Sequence, residues 1–336
     1  MARWLTILIV LAGLGYSGYW WVGSTAQETA LKTWMADRQG DGWVAEYADL
    51  SVQGYPNRFD TKLTDLTLAD PASQWAWSAP EFQILALSYQ PNHVIAVWPP
   101  SQKVSSPAET IDISSADMRA SVKFEPNTAL ALSALTMDMA GVEMRSTADW
   151  DSAMEKAQLA TRQTAGRAFA HDVYFRADQM KPARVLRNIV DPEGRLPEVF
   201  ETVLLDATLG FDAAWDRHAL EGRKPEVTDI NLRDLTARWG ELEFQAKGDV
   251  KVDAAGRPTG KIDVRAKNWR EMLTVGVAAG LIPSELAGTL ESGLGLVARL
   301  SGNPDTLDAP LSFRDGKVSL GPLPLPVEPV AIRINP

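Results

Sequence analysis

Hydrophobic and polar side chains alternate with a period of two along much of the chain after residue 42. The longest such stretch runs from Glu241 to Lys267, with apolar residues on one side and mainly charged or amide residues on the other. The turn-forming segment 254–260, AAGRPTG, interrupts this stretch, which therefore predicts a β-hairpin. Strands with one apolar and one polar face are typical of antiparallel sheets that have one side in water.

Apolar residues recur at helical spacing in a few places only. They predict helices over 25–38, over 150–166 (from the spacing of Trp150, Ala153 and Met154), over 269–279 and over 284–300. The balance of elements indicates a mainly β protein of the α+β class. In this fold, extended, curved antiparallel sheets carry a few helices on their apolar face.

The amino-terminal segment 4–22, WLTILIVLAGLGYSGYWWV, contains no charged residue and matches the roughly 20 residues that cross a bilayer. Arg3 precedes it, and the next charged residue is Glu28. We therefore predict a transmembrane anchor over residues 1–23 that crosses the inner membrane once and places the body in the periplasm. A cleaved signal peptide is the alternative, because Ser24 and Ala26 suit a cleavage site.

The segment 181–197 holds three prolines and is the better of two candidate boundaries within the body. It predicts an N-terminal β-rich lobe over 24–180 and a C-terminal β-rich lobe over 181–336.

The composition excludes several kinds of chemistry. The chain has 336 residues with no cysteine and three histidines, so disulfides and thiolate sites are excluded and a multi-histidine metal centre is disfavoured. A formal net charge of −10 argues against a nucleic-acid partner. Asp206, Asp212 and Asp216 lie close in sequence, but solvated carboxylates on a polar face are their ordinary interpretation. We therefore assign no catalytic, cofactor-binding or metal-binding residue and expect a protein that is not an enzyme.

Tryptophan is abundant, with 12 residues in the chain. Trp75 and Trp77 fall on one side of a predicted strand, where they either fill the core or line a groove that is open to an acyl chain. Arg58 follows a turn and precedes a strand, where it either forms an ordinary salt bridge or contacts a lipid phosphate. These three residues are the candidate groove.

Several sequence stretches resemble a known family. Gly42-Trp43, followed by GYPNRF at 54–59, is similar to the opening of the DUF2125 family of proteobacterial envelope proteins. The hairpin over 253–270 and the ending LSFRDGKVSLGPLPL at 311–325 extend the resemblance, and this ending also resembles the closing strands of AsmA-like inner-membrane proteins. The resemblance implies a single amino-terminal anchor and a β-rich periplasmic body, and it implies no particular reaction.

Two functional hypotheses follow from these features. In the first, the body presents an apolar surface to a lipid or another amphiphile in envelope maintenance. In the second, the protein is an envelope scaffold with a closed core that binds another protein through a sheet edge or its acidic face. An open apolar sheet face favours the first, and a face fully covered by helices favours the second.

Overall fold

The computed structural model describes residues 2–192, 194–280, 282–300, 302–325 and 329–334. About half of the chain is strand and 23% is helix, which confirms the mainly β class with an amino-terminal apolar helix. The helices are α1 (Ala2–Gly40), α2 (Arg184–Val190), α3 (Arg217–Glu221), α4 (Trp269–Ala278) and α5 (Ser284–Leu300).

The chain forms two compact units. Unit 1 comprises Met1–Phe124 and Met144–Asp149, and unit 2 comprises Glu125–Glu143 and Trp150–Pro336. The predicted lobe boundary between residues 180 and 181 lies inside unit 2.

Unit 1 is built around the long strand pair β3–β4, whose register joins Arg58 to Leu87 at one end and Asp70 to Trp75 at the other. Strands β1 and β2 both pair with β3, and β4 pairs with β5 along one half and with β6 along the other. The strands are β1 (Val44–Glu46), β2 (Asp49–Gln53), β3 (Arg58–Asp70), β4 (Trp75–Leu87), β5 (Gln90–Val97), β6 (Ser101–Ser105), β7 (Thr110–Ser114) and β8 (Asp117–Phe124).

The β3–β4 pair changes the face on which its apolar residues lie. On β3, buried side chains occupy odd positions up to Leu63 and resume at Leu66. Between them, Asp65 has a φ of 48°, and it lies opposite Pro80, which has no N–H to donate. At this irregularity the buried side chains change from odd to even positions of β3, so apolar residues on both sides of it belong to one cluster. In that cluster Leu63 and Leu66 pack with Met35 of α1.

Unit 2 is an antiparallel meander in which each strand from β10 to β18 pairs with the next. Its strands are β9 (Leu132–Ser146, whose last three residues belong to unit 1), β10 (Asp151–Gln163), β11 (Ala170–Met180), β12 (Phe200–Phe211), β13 (Val227–Trp239), β14 (Leu242–Val252), β15 (Pro258–Lys267), β16 (Thr306–Arg314), β17 (Lys317–Leu320) and β18 (Leu323–Leu325).

The predicted hairpin is confirmed as β14–β15, with Val252 opposite Pro258 across the turn. Two glycines allow the strands to approach each other. Gly248 and Gly260 both have a φ of 152°, and a Cβ on either would lie 2.2 Å from a backbone carbonyl oxygen of the partner strand. Glycine is therefore required at both positions.

The helix predicted over 150–166 is wrong, because residues 151–163 form strand β10. Lys156 to Gln163 pair residue by residue with β11, so the spacing of Trp150, Ala153 and Met154 was coincidental. The helices predicted over 269–279 and 284–300 are confirmed as α4 and α5. Trp269 and Leu273 of α4 and Leu294 and Val297 of α5 pack in one cluster with buried side chains from strands β15 to β17.

Candidate ligand-binding cleft

Trp77 belongs to the core of unit 1. Its indole Nε1 donates to Oε1 of Gln102 at 2.6 Å, and its ring meets Phe82 edge-on with centroids 5.3 Å apart. The side chain also packs against the cluster that contains Leu63 and Leu66. These contacts fit the interpretation in which Trp77 fills the core.

Trp75 and Arg58 lie at opposite ends of the β3–β4 pair. Trp75 is opposite Asp70, while Arg58 is opposite Leu87. Asp70 lies 12 residues after Arg58, which corresponds to about 40 Å of strand. Nε of Arg58 donates to Asp60 at 3.0 Å, which is the ordinary salt-bridge arrangement. Trp75, Trp77 and Arg58 therefore do not form one site.

Unit 2 contains an apolar cleft that the sequence did not point to. Its volume is about 250 Å³, and it is open to solvent. The lining comes from α2, α4 and strands β12 to β14, together with a proline that precedes α2: Pro182, Leu186, Phe200, Ala237, Trp239, Leu242, Phe244, Met272 and Val275. None of these side chains is ionisable, so the cleft suits an apolar group and offers no acid or base.

Trp239 fixes the wall of the cleft. Its indole Nε1 donates to the carbonyl oxygen of Pro197 at 2.8 Å, and its ring stacks on Phe200 with centroids 4.3 Å apart. The next residue, Gly240, has a φ of 58°, and its backbone N–H donates to the Glu201 carboxylate at 3.1 Å. These contacts tie the end of β13 to the segment that enters β12.

Leu186 forms part of the rim and is 51% exposed. Its neighbours Val185 and Ile189 on α2 are also exposed. Arg187, on the same helix, donates to the carbonyl oxygen of Leu196 at 3.4 Å and lies 3.4 Å from Glu198. The rim therefore combines exposed apolar surface with a cation that already has partners.

The three aspartates that lie close together in sequence, Asp206, Asp212 and Asp216, have separate structural roles. Asp206 binds Arg233, and Asp216 accepts hydrogen bonds from two N–H groups at the start of α3. Arg223 binds Asp212 at 2.6 Å and lowers the pKa of that carboxyl group. Among the residues that the structure describes, no group of three or more histidine, aspartate and glutamate side chains could hold a metal ion.

The chain matches, over residues 20–327, the family described as uncharacterized protein conserved in bacteria (DUF2125). The chain belongs to the DUF2125 family. The match covers both compact units and begins at Trp20, near the end of the apolar segment. Comparisons with curated proteins and with solved structures found no match.

The DUF2125 match starts within α1, a helix of 39 residues that is long and apolar enough to cross a membrane. The apolar segment and the predicted helix over 25–38 form this one continuous helix. The cleft could not be predicted because its lining comes from segments far apart in sequence. The one local signal was the short apolar run Val185, Leu186 and Ile189, whose side chains are exposed and of which Leu186 lines the cleft.

Proposed function

We propose that this DUF2125 protein is an inner-membrane-anchored, periplasmic protein that binds the acyl chain of a lipid in the cleft of unit 2. The observation that carries the proposal is the open, wholly apolar lining around Phe200 and Trp239. Helices cover part of the sheet's apolar face but leave this region accessible. An open face favours a ligand over the closed core of a scaffold.

The size of the cleft supports a single chain. Pockets for drug-sized molecules measure roughly 300–1,000 Å³, and the cleft is slightly smaller at about 250 Å³. Each methylene group that leaves water contributes about 0.8 kcal/mol, so a partly inserted chain gains several kcal/mol without a polar contact. The polar headgroup would remain outside, near the rim that Leu186 and Arg187 form.

The anchor is supported by the apolar segment 4–22 within α1. Most of its large hydrophobic side chains are exposed, including Trp4, Leu8 and Leu11. Such a surface on a helix near the amino terminus suits lipid better than water. Arg3 is the only charged side chain before the segment, and it favours a cytoplasmic amino terminus.

The cleft can be tested by mass spectrometry of lipid that co-purifies with the full-length protein in mild detergent. Leu186→Asp places a carboxylate at the half-exposed rim and should abolish the co-purified lipid without unfolding the protein. Leu296→Asp is the matched control, because Leu296 is 60% exposed on α5 and does not line the cleft. Lipid that persists in Leu186→Asp, or that is equally lost in both variants, would contradict binding in the cleft.

The topology can be tested with a single cysteine, because the natural chain has none. Ala72 lies exposed in the turn between β3 and β4, so Ala72→Cys should react with a membrane-impermeant maleimide in intact spheroplasts. Labelling that requires prior lysis of the inner membrane would place the body in the cytoplasm.

A further inference from the structure

Two turns of unit 1 are attached directly to the apolar part of α1. The hydroxyl of Tyr55, in the turn between β2 and β3, lies 2.8 Å from Oγ of Ser17. Tyr19 donates to the carbonyl oxygen of Ser88, between β4 and β5, at 2.5 Å. Trp20 donates to the carbonyl oxygen of Arg58 at 2.7 Å. Both turns therefore lie beside residues 16–20 of the helix.

The position of these contacts along α1 sets their depth. Ser17 lies 13 residues after Trp4, which is about 20 Å along a helix with a rise of about 1.5 Å per residue. The hydrocarbon core of a bilayer is about 30 Å thick, so the core extends beyond Ser17 by roughly 10 Å. Moving the helix outward by that distance would pull Arg3 and the amino terminus into hydrocarbon, at a cost of several kcal/mol.

The two turns have a composition that suits this depth. Their sequences are GYPN at 54–57 and SYQP at 88–91, the latter including the first two residues of β5, and neither contains a charged residue. Tyr55 is 59% exposed and Tyr89 is 62% exposed, although both are large aromatic side chains. Tyrosine is enriched where a membrane meets water, because its ring prefers the apolar side and its hydroxyl prefers the polar side.

The opposite end of the same strand pair provides a contrast. The turn between β3 and β4 contains no aromatic residue, and the Asp70 side chain accepts hydrogen bonds from the N–H groups of Ala72 and Ser73. These bonds lower the pKa of Asp70, with the N–H of Ala72 as the largest cause, so the carboxylate stays charged. The two turns at one end of the β3–β4 pair thus carry exposed tyrosines and no charge, with Arg58 directly after the first turn. The turn at the other end carries the Asp70 carboxylate, which lies opposite the exposed Trp75.

We propose that the turns 54–57 and 88–91 form a second membrane contact, in which Tyr55 and Tyr89 sit among the headgroups and upper acyl chains of the leaflet where α1 leaves the bilayer. This inference rests on the proposed anchoring through residues 4–22. Arg58 directly follows the first turn, and its long side chain would extend outward from there towards the lipid phosphates.

The test uses nitroxide labels on single cysteines of the full-length protein in vesicles of phosphatidylethanolamine and phosphatidylglycerol. Asn57→Cys and Tyr89→Cys report on the two turns and preserve the contacts with Ser17, Tyr19 and Trp20. Ala72→Cys is the matched control at the opposite end of the strand pair, and Val10→Cys reports on the anchor. The measurement is the accessibility of each label to oxygen, which enters lipid, relative to a nickel chelate, which stays in water.

We expect the oxygen-to-nickel ratio at positions 57 and 89 to exceed the ratio at position 72 severalfold. If the labels at 57 and 89 match the label at 72 while the label at 10 is immersed, the second membrane contact is refuted and the anchor stands. If the label at 10 is also in water, both the anchor and this inference fail. Should Tyr89→Cys not fold, as judged by its near-ultraviolet circular dichroism, Asn57→Cys decides the outcome alone.

Discussion

At Gly23, α1 packs closely against the sheet of unit 1. A Cβ built on Gly23 would lie 2.5 Å from Cζ of Phe59, and the Phe59 side chain is only 4% exposed. Gln27, one turn later on the helix, donates to Oγ1 of the buried Thr61 at 2.7 Å. Because Phe59 is enclosed, its ring has little space to move away. We therefore predict that Gly23→Ala destabilises unit 1.

Two opposing terms set the size of this effect. Alanine is better than glycine in a helix interior by about 1 kcal/mol. Forcing an additional methyl group into a packed site costs about 1–3 kcal/mol. The overlap with Phe59 outweighs the gain in helix propensity, so a net loss of about 1 kcal/mol is expected, equivalent to a few degrees in the melting temperature.

Gly18→Ala is the matched control for this prediction. Gly18 lies on the same helix, and a Cβ there would have no heavy atom within 4 Å. The melting temperature of Gly18→Ala should therefore equal or slightly exceed that of the wild type. The assay is thermal unfolding of the full-length protein in detergent, followed by near-ultraviolet circular dichroism. If Gly23→Ala melts at or above the temperature of Gly18→Ala, α1 is not seated on Phe59 and the reasoning is refuted.

Three further predictions concern unit 2. Burial lowers the pKa of His171, so the unfolded state binds a proton at higher pH than the folded state does. The free energy of unfolding should therefore decrease as the pH is lowered below about 6.5. In urea titrations, His171→Gln should reduce this pH dependence. Trp239→Phe removes the hydrogen bond to Pro197 and should cost about 1 kcal/mol in the same assay, whereas an unchanged midpoint would show that the bond contributes nothing. Gly248→Ala should lower the melting temperature more than Gly288→Ala, because only Gly248 faces a backbone atom within 4 Å.

The elements that were predictable from the sequence have a strong local pattern. The hairpin β14–β15 alternates without ambiguity, and α5 carries a stripe of apolar residues from Leu286 to Val297. Strand β10 was mispredicted because small and apolar residues at three- and four-residue spacing imitate a helix. Pairing with β11 overrides that local preference, and it places Ala157 in the core at 5% exposed.

The candidate site was less predictable than the fold. Trp75 and Trp77 are conspicuous in the sequence, but the residues that they contact lie elsewhere in the chain. Trp77 donates a hydrogen bond to the Gln102 side chain in the core, and no local sequence pattern predicts that contact. The cleft at Trp239 is also lined by Phe200 and Met272, which lie on elements far apart in sequence and become neighbours only when the chain folds.

The continuous helix α1 also determines how the protein meets its surroundings. At about 1.5 Å per residue, its 39 residues form a rod of about 58 Å, of which roughly half is needed to cross the hydrocarbon. The remainder lies along β1 and β2, and its Gln27 side chain donates to Thr61 of β3, so no flexible segment separates the apolar part of the helix from unit 1. With the proposed anchoring through residues 4–22, this rigid helix would hold unit 1 at a fixed height relative to the bilayer. Unit 1 would then meet molecules that diffuse within the plane of the membrane or that reach that height.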